Sequence, residues 1–192
     1  MSVVGNSIVG GLSMTLTGLP DVEQALAAYP RKIALVEKRA ILTLQRKLPV
    51  EARRDIQAEY NLPAARIRKD LGARIRGQGI RLTGYFRGIG LRNFGGRIVK
   101  DGVTASIFKG KRTLRTGPYF LATLRSGNVQ VARRKGKPRL PIEVAYGPTV
   151  AQMLRKGRRP ERLVEFARGV VRDEVNRQLK SLAAKSAASE VA

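Results

Sequence analysis

Val103-Thr104-Ala105-Ser106-Ile107-Phe108 alternates apolar and polar side chains. That is the two-residue period of a strand with one face on a core. Outward from it, the same short alternation recurs in Ile80-Arg81-Leu82-Thr83-Gly84-Tyr85-Phe86, Asn128-Val129-Gln130-Val131-Ala132 and Ile142-Glu143-Val144-Ala145-Tyr146. Asp101-Gly102 and Ser126-Gly127 are turn signals between such runs. The stretch from Ala73 to Gly147 therefore reads as an antiparallel sheet of four or five strands with basic loops.

On both sides the period changes. Ile33, Val36, Ala40, Ile41, Leu44 and Leu48 recur at spacings of three and four, the apolar stripe of an amphipathic helix. Pro49 is expected to kink or interrupt it, with Glu51 to Tyr60 continuing helical. After the break at Asn61-Leu62-Pro63, Ala64 to Leu71 reads as a short basic helix. Beyond the sheet, Thr149 to Arg155 reads as another short helix. Pro160-Glu161 then opens a long helix marked by Leu163, Val164, Ala167, Val170, Val171, Val175, Leu179 and Leu182. Near the start, Ser13 to Thr17 reads as a strand, and Pro20 to Ala28 as a helical turn or short helix. The expected plan is α+β. Residues 1–12 form a flexible arm, 13–182 a single domain, and 183–192 a flexible Ala/Ser-rich tail.

Charge is the outlier of the composition. The 192 residues hold 38 Lys+Arg and 14 Asp+Glu, a formal net charge of +24. From Arg66 to Arg139 there are 20 bases and only two acids, Asp70 and Asp101. Such a surplus repels itself in a compact chain and calls for a polyanion or an acidic neighbour. The candidate contact residues are Arg66, Arg68 and Lys69; Lys109, Lys111, Arg112 and Arg115; and Arg133, Arg134, Lys135 and Lys137. Loops of this kind can follow a sugar-phosphate backbone without reading sequence. Tyr85, Phe86 and Phe94 lie near Arg81, Arg87 and Arg92 and could stack on unpaired bases. Strand aromatics at that spacing are more often core.

Conventional sites are missing from the sequence. Without Cys or His, Cys/His zinc sites and Ser-His-Asp or Cys-His nucleophiles are excluded. Lys109-Gly110-Lys111-Arg112-Thr113 lacks the phosphate-loop pattern, and Gly88-Ile89-Gly90 lacks the rest of a dinucleotide fingerprint. Glu51 with Asp55, and Glu161 with Glu165, are four apart among arginines, the spacing of helix-face ion pairs. Asp173-Glu174 reads the same way. No catalytic, cofactor-binding or metal-binding residue is nominated, and no cofactor is expected. Neither a secretion signal nor a membrane-spanning run is read in the chain.

The order of these features resembles the minor tail protein Z (tail completion) family of lambda-like phages. The shared pieces are the Arg/Ala-rich helix at Glu37-Lys38-Arg39-Ala40-Ile41 and the basic stretch Pro63-Ala64-Ala65-Arg66-Ile67-Arg68-Lys69. An aromatic strand at Gly117-Pro118-Tyr119-Phe120-Leu121-Ala122 follows, then Val129-Gln130-Val131-Ala132-Arg133-Arg134. The element Arg139-Leu140-Pro141-Ile142 through Gly147-Pro148-Thr149-Val150 precedes the last helices. The resemblance implies a structural, non-enzymatic role at the head-proximal end of a tail, in the virion and, during assembly, in the host cytoplasm. It implies a closed ring, expected as a hexamer, that helps join tail to head. Its neighbours would be tail terminator, tail tube or head-tail stopper proteins, with viral DNA as a further contact and no membrane. In such a ring the helices would carry subunit packing, through Val164, Val171, Val175 and Leu179. The alternative is a non-sequence-specific nucleic-acid-binding protein. A nuclease-like enzyme would need a carboxylate cluster for metal, which the basic segment does not offer.

Overall fold

Every fourth residue from Val36 to Tyr60 is buried: Val36, Ala40, Leu44, Leu48, Ala52, Ile56 and Tyr60 are each at most 3% exposed. In the computed structural model, which describes residues 5–8, 11–16, 33–77 and 79–190, all but the last lie on helix α1 (Ile33–Glu59). On a helix of 3.6 residues per turn, a row at spacing four advances about 40° per step. The buried face of α1 therefore winds round its axis, and several elements cover it. The final helix, α4 (Arg159–Glu190), runs antiparallel beside it. Val36 and Ala40, early in α1, cluster with Val175, late in α4. Asp55, late in α1, meets Arg162, early in α4.

Pro49 does not interrupt α1; the helix continues through it. A proline inside a helix costs about 3 kcal/mol. Leu44, Leu48, Ala52 and Ile56 are buried on either side of it, and each fully buried large aliphatic side chain contributes about 1.5–3 kcal/mol. Packing on both flanks outweighs the lost hydrogen bond.

The strands do not form one central sheet. Among the described residues they divide into four antiparallel sheets. The largest has the order β1-β2-β4-β3, from β1 (Gly5–Ile8), β2 (Gly11–Leu16), β3 (Leu71–Arg76) and β4 (Gly79–Tyr85). A two-stranded pair joins β5 (Ile89–Gly90) to β12 (Tyr146–Gly147). β7 (Gly102–Ala105) lies between β6 (Arg97–Val99) and β8 (Thr113–Thr116). β10 (Val129–Arg134) lies between β9 (Tyr119–Thr123) and β11 (Ile142–Val144). The division follows from burial. β6 and β8 are exposed at every position, so only β7 brings an inward face to that sheet. Strands this short and polar cannot share one continuous apolar surface.

The short basic helix also ends sooner than expected. It is α2 (Ala64–Arg68), and Leu71 already pairs with Gly84 in β3. The Tyr85 amide donates to the Asp70 carbonyl (2.9 Å), which ties the turn after α2 to the end of β4. The segment 1–12 contributes β1 and the start of β2, and α4 extends through the Ala/Ser-rich stretch to Glu190. The helical turn expected at Pro20 to Ala28 lies outside the described residues.

The element from Arg139 to Val150 has a local physical reason. A Cβ at Gly147 would lie 2.5 Å from the Phe94 ring, so only glycine lets β12 close over that fully buried aromatic. Pro148 then leads to Thr149, the N-cap of α3 (Val150–Arg155). Thr149 and Gln152 form a reciprocal capping box, with the Thr149 amide donating to Gln152 Oε1 at 2.9 Å. α3 places Val150 and Met153 in the main core with Ile56, Ile80, Phe94 and Val131.

Candidate functional site: a cation-rimmed cavity and the basic loops

Two charged assemblies stand out, and they differ in how their cations are used. The first lies where α1, α3 and α4 meet. Arg159 is 2% exposed and reaches Asp55 Oδ2 with Nε (3.2 Å) and Glu59 Oε2 with Nη2 (2.9 Å). It also donates to the Met153 carbonyl. Arg162 grips both oxygens of Asp55, at 2.7 and 2.9 Å. Lys156 pairs with Glu59 and sits 4.2 Å from the centre of the Phe108 ring. Its hydrogen bond holds the Glu59 carboxyl below its ordinary value, while burial pushes the Tyr60 hydroxyl up. Asp55 thus makes tertiary ion pairs with α4 rather than a solvated pair with an arginine of its own helix face. Farther along α4, hydrogen bonds from Arg177 and Gln178 lower the Glu174 carboxyl.

The second assembly is an open cavity of about 370 Å³. Its walls come from distant parts of the chain: Arg66 in α2 with Lys69 and Asp70 just after it, Arg87 and Gly88 after β4, Gly90, and Asn93 in the 3-10 turn Leu91–Phe94. The β9–β10 turn adds Leu124 and Asn128, β10 adds Gln130, and β12 adds Tyr146. Asp70 is 1% exposed and stands between two guanidinium groups. Arg66 bonds its Oδ2, and Arg87 lies 3.8 Å from its Oδ1. A buried carboxylate so placed fixes Arg66 as well as offsetting one charge. Lys69 is exposed, and among the described residues it meets no acid.

Two glycines shape the cavity wall by close approach. A Cβ at Gly88 would lie 2.8 Å from the Tyr146 ring, and one at Gly90 would lie 1.9 Å from Gln130 Oε1. Tyr146 remains 50% exposed. Gln130 Oε1 is buried without a hydrogen-bond partner, while Asn93 donates to the Gly90 carbonyl at 3.2 Å.

Of the nominated contact residues, only Arg66 and Lys69 line this cavity. Arg115, on β8, reaches its rim and donates to the Tyr146 carbonyl at 3.1 Å. Arg68 is exposed at the end of α2. Lys109, Lys111 and Arg112 are exposed in the β7–β8 connection; Arg134, Lys135 and Lys137 are exposed at the end of β10 and beyond it. Arg133 pairs with Glu143 across β10 and β11 (3.0 Å). The residues the sequence did not single out are Arg87 as a cavity cation, Asn93, Asn128, Gln130 and Tyr146. Gly88 and Gly90, dismissed as a dinucleotide motif, are the signal that could have led there. Of the three aromatics weighed for stacking, Phe94 is core at 0% exposure, Tyr85 is half-buried and lies 5.4 Å from the Arg87 guanidinium, and Phe86 is 48% exposed.

The four positions nominated for subunit packing face α1 or the main core within the chain. Val175 is 2% and Val164 8% exposed, and Val171 and Leu179 pack against the Val36–Ala40–Val175 cluster. Exposed apolar side chains lie on α1, at Leu35, Leu42 and Val50, and on β6, β8 and β9, at Ile98, Val99, Leu114 and Leu121. Among the described residues, no group of three or more acids is placed to hold a metal ion, and no helix is long and apolar enough to cross a membrane.

Comparison with known families finds one match. The family model of the prophage minor tail protein Z matches residues 31–185. No curated protein and no solved structure matches the chain.

Proposed function

The chain belongs to the prophage minor tail protein Z family, and from that premise we propose that it forms a closed ring at the head-proximal end of a phage tail. There it helps join tail to head, with its basic surface turned toward the DNA end or an acidic neighbouring ring. The observation that carries this reading is the division of charge. Outside residues 66–139, cations such as Arg159, Arg162, Lys156 and Arg177 are matched to carboxylates. Inside that segment 20 bases face two acids, and most of them are exposed loop or strand-end residues. A surplus that the fold does not consume is available to a polyanion.

Ring closure needs two different surfaces that meet head to tail. Val164 and Val175 are used within the chain. Subunit contact would use side chains still exposed, among them Leu35, Leu42 and Val50 on α1 and Ile98, Val99 and Leu114 on the two outer strands of the β6–β8 sheet. Gold labelling of an epitope-tagged chain in assembled particles tests the placement. Label at the head–tail junction is the expected result. Label along the tube or at the distal tip would overturn it.

A further inference from the structure

We propose that the cavity between α2, the β4–β5 connection, β10 and β12 takes an unpaired nucleotide of a DNA strand. The inference deepens the DNA-facing reading of the basic surface and rests on it for its setting in the particle. Binding itself is a property of the isolated chain.

Three features select this ligand. The first is charge. Arg66, Lys69 and Arg87 rim the cavity and only Asp70 opposes them, which leaves two cations for phosphate. Asp70 accepts a hydrogen bond from Arg66 and so places it before a ligand arrives, while Arg87, 3.8 Å away and 70% exposed, lies beside it. The second is the polar lining. Gln130, Asn93 and Asn128 line it with side-chain amides, each able to donate and to accept, as the edge of a base requires. The third is Tyr146, whose ring is half exposed beside Gly88. An aromatic face next to cations suits stacking of a base with its phosphate held alongside. In a duplex, both the pairing edge and the face of a base are taken. Only an unpaired residue can offer them here. The volume, about 370 Å³, falls within the range of sites that enclose a small ligand. Arg115 at the rim would continue the phosphate track to the next residue.

The test compares binding of a short labelled oligodeoxyadenylate and of a blunt duplex to the full chain, in one buffer of moderate salt. Variants are Arg87→Gln, which changes a largely exposed side chain, and Tyr146→Leu, with thermal melts to show that each still folds. Each variant is expected to lose about tenfold in affinity for the single strand and less than about threefold for the duplex. Equal losses on both would overturn the cavity while leaving a DNA-facing surface intact. So would an unaltered single-strand affinity in Arg87→Gln. Loss of binding to a polyglutamate peptide, with no change for the oligonucleotide, would assign the cavity to an acidic protein segment instead. Saturation by deoxyadenosine monophosphate as tightly as by the oligonucleotide would make it a free-nucleotide site and refute the strand. If neither DNA form binds, the DNA-facing reading and the inference fail together.

Discussion

The α1–α4 junction and the cavity are both built from arginine, lysine and aspartate, yet they do opposite things with charge. At the junction Arg159, Arg162 and Lys156 each pair with Asp55 or Glu59, and two of them have further partners, Arg159 the Met153 carbonyl and Lys156 the Phe108 ring. At the cavity three cations meet one buried acid, and Lys69 is left over. A set of charges that closes on itself holds a fold together. A set that is fixed but not neutralised is prepared for something else. In a chain with net charge +24, this separates structural cations from available ones better than exposure does.

The largest effect expected from this contrast is on stability at the junction. Replacing both acids, Asp55→Ala with Glu59→Ala, strands Arg159 as a buried unpaired cation. Loss of about 3–5 kcal/mol is expected in urea unfolding. A loss under about 1 kcal/mol would mean that Arg159 finds water or carbonyls enough and that the junction is not a closed set. Next is Asp70→Ala, which removes the acid between Arg66 and Arg87. About 1.5–3 kcal/mol should be lost, the range for hydrogen bonds to charged groups, together with the preference for single strands. Retained preference would show that Arg66 needs no anchor.

Acid titration gives a smaller, graded effect. The carboxyls of Glu59 and Glu174 are depressed by hydrogen bonds from Lys156 and Arg177. A group whose folded pKa is lowered contributes stability above its unfolded pKa and loses it as pH falls through the folded one. Unfolding midpoints should therefore hold steady through neutral and mildly acidic pH, then fall below the ordinary carboxylate range. In a Glu59→Gln variant that fall should be shallower. An identical acid profile would remove Glu59 from the account. The smallest effect on the fold belongs to the loops. Lys135→Gln with Lys137→Gln should leave the melting curve unchanged but lower the slope of log affinity against log salt, for duplex DNA, by about 2. A slope that does not move would place these lysines away from DNA.

The helices were the most legible part of the chain. Leu44, Leu48 and Leu163 through Val175 declare their faces by period, because a long amphipathic stripe has few other readings. Pro49 does not end the helix, because a local propensity says nothing of the packing that Ala52 and Ile56 add beyond it. The sheets were legible as strands but not as a topology. Val103 and Val131 alternate in the same way, yet one lies in β7 and the other in β10, in separate sheets. Which strands join depends on contacts across the chain that alternation does not encode. Arg66 and Lys69 stood out as charge. Gln130 and Tyr146 could not, because nothing in their neighbours marks them until β10 and β12 bring them beside Gly90 and Gly88.

In the proposed ring the unconsumed cations serve a polyanion. The mass of the purified chain and its affinity for DNA, taken together across a salt series, test this. A closed oligomer that binds DNA at low salt and releases it steeply as salt rises is expected. A monomer at every salt concentration, with no affinity for DNA even at the lowest, would contradict it.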